Sequence, residues 1–168
     1  MLSVPTIQAL AKEAATRLGH EPYWRPGFGQ VEIHLTELVY RLPELTYAYY
    51  IVGFQAEGRP TGRLIMNATT GAVGQIAGVN NPQKSLPVFM PRAEVVRRLQ
   101  AKTMTFKPAS AKPLNQANAA LDDHMVWKPC DQSRTPFLPF YVASDGPHRA
   151  YVRADGVGFM ELTDTGAG

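Results

Sequence analysis

At 168 residues and a formal charge of +3, the chain has room for one domain or two small halves, with a core burying about 70% of the unfolded surface. Hydrophobic residues at 45% against 18% charged exclude a wholly disordered chain, and no apolar run nears the roughly 20 residues of a membrane helix. The single cysteine, Cys130, excludes an intrachain disulfide and a thiolate zinc site.

The charge surplus is unevenly placed. Residues 1–79 carry six basic and six acidic side chains, residues 80–168 eleven against eight. The opening Met1-Leu2-Ser3-Val4-Pro5 lacks the basic and long apolar segments of a secretory signal. As it stands the sequence reads as cytoplasmic, and as extracytoplasmic if a signal has been removed.

Ile7, Leu10, Ala11, Ala14, Ala15 and Leu18 recur at the spacing of one buried helical face and predict a helix over 4–18. Ser3 is its expected cap, Pro5 suits the first turn and Gly19 the end. Val31, Ile33 and Leu35 alternate with Glu32, His34 and Thr36, the period of a strand with one wet face. A long strand is predicted over 46–54, a turn over 55–62, and strands over 63–67 and 73–79 joined by a turn with Gly71. The first half thus reads as a helix followed by an antiparallel meander.

A connector begins at Asn80-Asn81-Pro82 and runs over 80–91. Val95, Val96 and Leu99 predict a short helix over 91–102, with Arg92, Arg97, Arg98 and Lys102 on its other positions. Residues 105–112 read as a surface loop, and Leu114, Ala117, Ala120 and Leu121 suggest another short helix. Strands are expected near 124–128, 137–143, 149–153 and 157–162. The fold class expected is α+β, with helices packed on one face of an antiparallel β-sheet, as two αβββ halves over 1–79 and 92–168.

The halves carry a faint repeat. Tyr23-Trp24-Arg25-Pro26 is answered by Val126-Trp127-Lys128-Pro129, and Tyr49-Tyr50-Ile51-Val52 by Phe140-Tyr141-Val142-Ala143. Residues 63–68 with Gly71 are answered by 150–156. Trp24 and Trp127 are expected to occupy equivalent places, each packing its indole over the end of a sheet.

The helix, Tyr50-Ile51-Val52-Gly53-Phe54, and the run from Leu64 to Val73 through Asn67, Thr69, Thr70 and Gly71 resemble the PepSY family and the propeptide domains of secreted peptidases. The resemblance covers about half the chain, and where that family often has Asp this sequence reads Asn67 or Thr69. It implies a helix on a curved antiparallel sheet and a role in binding or restraining another protein, often a peptidase outside the cytoplasm.

Chemistry is sparse. Cys130 follows His124 by six residues, so a thiol nucleophile with a histidine base is the enzymatic alternative, but no helix pattern follows Cys130 to lower its pKa. An ordinary cysteine after a strand is the plainer reading. His20, His34, His124 and His148 show no metal-site spacing. The glycine-rich run 71–78 opens a strand rather than a helix, which fails the context of a phosphate cradle. No catalytic residue, metal or cofactor is therefore assigned.

Lys84, Arg92, Arg97, Arg98, Lys102, Lys107 and Lys112 against Glu94 form a basic segment, the ground for a nucleic-acid alternative. Poor aromatic interleaving and a charge of only +3 weigh against it. Aromatic residues are the most unusual feature. Tyr47 and Tyr49 share one strand face and Tyr50 the other, so a one-sided sheet cannot hold them all in its core. Trp24, Tyr47, Tyr49, Trp127 and Tyr141 are accordingly the candidate ligand-binding residues. The expected function is a non-enzymatic protein-binding, inhibitory or regulatory module acting on a protein or peptide partner.

Overall fold

Ser3 starts the first element as expected: its hydroxyl accepts the Thr6 amide at 3.4 Å, and α1 runs over Val4–Leu18. The computed structural model describes residues 1–19, 31–45, 47–81, 83–108 and 114–164. These form two compact units, Met1–Val39 with Leu45–Pro87, and Tyr40–Glu44 with Val88–Gly168.

In the first unit α1 is followed by β1 (Val31–Arg41), β2 (Ala48–Ala56), β3 (Arg59–Asn67) and β4 (Val73–Gly78), in the sheet order β4-β3-β2-β1. The last two residues of β1 already belong to the second unit. Glu57 and Gly58, both at positive φ, close β2 and β3 with a two-residue turn, the backbone that suits the twist of a hairpin. The expected turn over 55–62 is therefore mostly strand. α1 buries Ile7, Ala11 and Ala14 against Tyr50, Val52, Phe54, Leu64 and Met66. Tyr49, Ile51 and Ile65 are buried on the opposite strand face, so β2 and β3 are core strands on both faces rather than half-wet. Arg63 lies buried there and donates to the Pro87 carbonyl, tying the connector to β3. Burial lowers its guanidinium pKa to about 10.

The second unit contains α2 (Arg92–Gln100), β5 (Phe106–Lys107), a 3₁₀ turn (Gln116–Asn118), β6 (Ala120–Trp127), β7 (Phe140–Asp145), β8 (His148–Arg153) and β9 (Gly158–Phe159). Strands follow the order β6-β7-β8-β9-β5, antiparallel except that β5 runs parallel to β9. The Tyr40–Glu44 segment joins this unit: the Leu42 amide donates to the Trp127 carbonyl at 2.9 Å, and the Tyr40 ring meets His124 edge-on at 4.7 Å.

The expected fold class is corrected by these elements. The protein is sheet-dominated, with nine strands in mixed rather than purely antiparallel pairing and two α-helices among the described residues, not helices layered on a sheet. One cause is the segment 114–121, whose spaced apolar residues suggested a helix. Asn115, Asn118, Asp122 and Asp123 favour local turns over helix, and only a single 3₁₀ turn forms before β6 begins at Ala120. A second is β5, which lies within the expected loop 105–112 and pairs with a partner far along the chain.

Corresponding bonds hold each helix entry to its sheet. In the first unit the Leu2 amide donates to Ala68 O at 2.7 Å and the Tyr50 hydroxyl to Leu2 O at 3.1 Å. In the second the Met90 amide donates to Ala154 O at 2.7 Å and the Tyr141 hydroxyl to Met90 O at 2.9 Å. Tyr50 pairs with Met66 across its hairpin as Tyr141 pairs with Val152. The turn after each hairpin is closed by a glycine amide, from Gly71 N–H to Asn67 O four residues back at 2.8 Å and from Gly156 N–H to Arg153 O three residues back at 2.7 Å.

Candidate functional site

The aromatic residues singled out in the sequence fall into different environments. Tyr47, just before β2, is 47% exposed, whereas Tyr49 is buried. Tyr141 is buried, its hydroxyl committed to Met90 O and its ring lying 5.4 Å under the Arg92 guanidinium. Trp127 is half-buried: its Nε1–H donates to the Ser133 hydroxyl at 2.9 Å, and Arg41 lies 6.0 Å over its ring. Trp24 lies outside the described residues. Tyr47 and the part of Trp127 left uncovered by its half-burial therefore remain for a partner to touch, while Tyr49 and Tyr141 are buried.

Several exposed apolar residues lie toward one end of the first unit's sheet. The pairings Tyr49 with Asn67 and Met66 with Val73 bring the start of β2, the end of β3 and the start of β4 to the same end. The bond from Leu2 to Ala68 brings the chain's first residues and the start of α1 there too. Met1, Val4, Tyr47 and Val73 are all exposed large apolar residues of this end, and Leu45 is exposed just before it. Grouped exposed apolar side chains mark interaction surfaces where scattered single ones do not.

Beside them runs β4, the terminal strand of its series, with no described strand on its outer edge. Val73, Gly74 and Gln75 are exposed, and Ile76 to Gly78 half-exposed. No charged residue occurs from Leu64 to Gln83, so β4 lacks the edge lysines that ordinarily block strand addition. The sequence signal was available in that neutral run. Its meaning depended on β4 being an edge, which composition does not state.

The enzymatic and basic alternatives can be placed as well. The Cys130 thiol is 3% exposed and packs among Val126, Phe140 and Val142. His124 meets the Tyr40 ring edge-on, and no hydrogen bond joins Cys130 to His124 among the described residues. No group of three or more metal-ligating side chains occurs among the described residues, and no helix there is long and apolar enough to cross a membrane.

On α2, Arg97 and Arg98 both bind Glu94 at 2.7 Å, and Arg92 donates to the carbonyls of Asp122 and Asp123. Hydrogen bonds from Arg97 and Arg98 hold the Glu94 carboxyl down at about 2. Much of the helix's positive charge is thus engaged within the protein. Lys112 lies outside the described residues. Comparisons with protein families, curated proteins and solved structures gave no match.

Proposed function

We propose that the protein is a non-enzymatic binding module that takes an extended segment of a partner protein as an added strand along β4. The observation that carries this reading is the exposed, uncharged β4 edge, with Val73 exposed on the strand itself and Met1, Val4 and Tyr47 exposed toward the same end of the sheet. Main-chain bonds along a free edge supply affinity, and neighbouring apolar side chains supply anchors for alternate residues of the incoming strand. A regulatory role of the PepSY kind, restraining a peptidase or an envelope protein, is the form of this activity that the first unit's motif favours. A partner segment held along β4 is withheld from its other contacts, which restrains the partner without chemistry.

The test is selection of binders from a library of unstructured decapeptides, followed by amide exchange. Bound peptides should slow exchange at Val73–Gly78, and Val73→Lys with Gln75→Lys should abolish binding while leaving the unfolding midpoint in place. Protection confined to residues elsewhere in the chain would refute strand addition.

We further propose that the two units descend from one helix-plus-meander unit. In support stand the paired bonds at Leu2 and Met90, the tyrosines Tyr50 and Tyr141, and the common hairpin register. Position by position, α1's Ile7 and Ala11 correspond to α2's Val95 and Leu99, all fully buried. The Trp24 half of the proposed tryptophan equivalence lies outside the described residues.

A further inference from the structure

In the second unit a cleft of about 520 Å³ is lined by Lys107, Asp131, Gln132, Arg134 and Arg153, with Pro108, Val157 and Phe159 as an apolar wall. Its volume lies within the usual range of small-ligand sites, about 300–1,000 Å³. We propose that this cleft binds a carboxylate borne next to an apolar group, the chemistry of a peptide's C-terminal residue or of a small apolar carboxylic acid. The proposal rests on the cleft and not on the β4 edge, so either can fail alone.

Arg153 forms the floor. It is only 5% exposed, and it donates from Nε and Nη2 to the Asp155 carboxylate and from Nη1 to Gln132 O, each at 2.8 Å. A guanidinium has five N–H donors, so two remain outside these bonds on a buried side chain that lines the cleft. Phe159 lies 5.5 Å beneath its guanidinium, fixing the plane of the fork.

The turn itself does not need this cation. At the corresponding place in the first unit stands Asn67, whose Oδ1 accepts the amides of Thr69 and Thr70 at 2.8 and 2.9 Å and holds a turn one residue longer without charge. That comparison uses the proposed common origin of the units.

Lys107 and Arg134 complete the site at its rim. Both are exposed, and neither has a hydrogen-bonded or ion-paired side-chain partner among the described residues. The Asp131 carboxylate is engaged by the Thr163 hydroxyl at 3.3 Å. Burial pushes the Asp155 carboxyl up, yet hydrogen bonds from Arg153 and Val157 and the nearby Arg134 charge take it below its usual value. Asp155 therefore stays ionised and neutralises one cation. Lys107, Arg134 and Arg153 against Asp131 and Asp155 leave a formal surplus of 3 − 2 = +1. One surplus charge suits a monoanionic carboxylate better than a dianionic phosphate, and the Pro108, Val157 and Phe159 wall suits an apolar neighbour of the carboxylate.

The experiment is titration of the full chain, followed by NMR, with N-acetyl-leucine, acetyl-Gly-Gly-Leu-Leu, the C-terminal amide of that peptide, acetate and inorganic phosphate. Both free carboxylates carrying leucine should shift signals of Arg134, Val157 and Phe159, and loss of the charge in the amide should weaken binding by at least about tenfold. Tighter binding of the tetrapeptide assigns the site to peptide termini, and equal binding assigns it to small acids. Arg134→Gln and Lys107→Gln, both at exposed positions, should each weaken binding similarly with unchanged thermal unfolding. Equal binding of acid and amide, tighter binding of phosphate, or shifts confined to other residues would overturn the proposal.

Discussion

Gly53 shows how one missing side chain sets a strand spacing. A Cβ at this position would lie 2.9 Å from the Leu35 Cβ and 3.0 Å from His34 Nε2, and the former is a rigid atom of β1 that cannot swing away. Gly53→Ala should therefore destabilise the protein by about 1–3 kcal/mol, the usual cost of overpacking, read as a shift in urea midpoint. Glu94 offers a pH test. Its folded-state pKa of about 2 lies below the ordinary carboxylate value, so its stabilising pairs with Arg97 and Arg98 are present above pH about 4.5 and lost as pH falls toward 2. NMR titration should place the Glu94 carboxyl near 2 in the native chain and higher in the Arg97→Gln, Arg98→Gln variant. The sequence placed Cys130 after a strand but did not show its burial. Cys130→Ser puts a hydroxyl among Val126, Phe140 and Val142 and should cost about 1–3 kcal/mol, where Cys130→Ala costs less.

Among the elements, α1 was legible to the residue because fifteen residues carry three repeats of one apolar face, a serine cap and a terminal glycine. The hairpin strands were legible from β-branched and aromatic runs, with ends displaced where the turn was tighter than its polar composition suggested. The segment 114–121 and β5 were not. The first has helix-like spacing without helix-forming neighbours, and the second is two residues long and holds no period at all. The matched tyrosines give a test at this scale. Tyr50→Phe and Tyr141→Phe each remove one hydrogen bond to the residue two positions before a helix, and each should cost about 0.5–1.5 kcal/mol in urea denaturation. Strongly unequal costs would count against their equivalence.

Across the whole molecule, the division of the chain does not follow the sequence in two simple blocks. Tyr40–Glu44 belong with residues 88–168, where Leu42 bonds Trp127 and packs beside Cys130 and Phe140. A fragment of residues 88–168 should therefore give poorly dispersed amide spectra and recover dispersion when a peptide covering 36–46 is added. A fragment well folded by itself would show that this segment is dispensable.

The sequence alone determined what nearest neighbours decide: the periods of α1 and the hairpin strands, the capping at Ser3, the absence of a disulfide, and the neutrality of 64–83. Tertiary structure decided that Tyr49 and Tyr141 are buried while Tyr47 is not, that β4 is an edge, that β5 lies beside β9, and that Lys107, Arg134 and Arg153 share a cleft. Helical and hairpin contacts link residues a few positions apart and leave their mark in local spacing. Edges, clefts and the second face of a strand are made by residues far apart in the chain, whose pairing is chosen by the burial and hydrogen bonding of the assembled sheet.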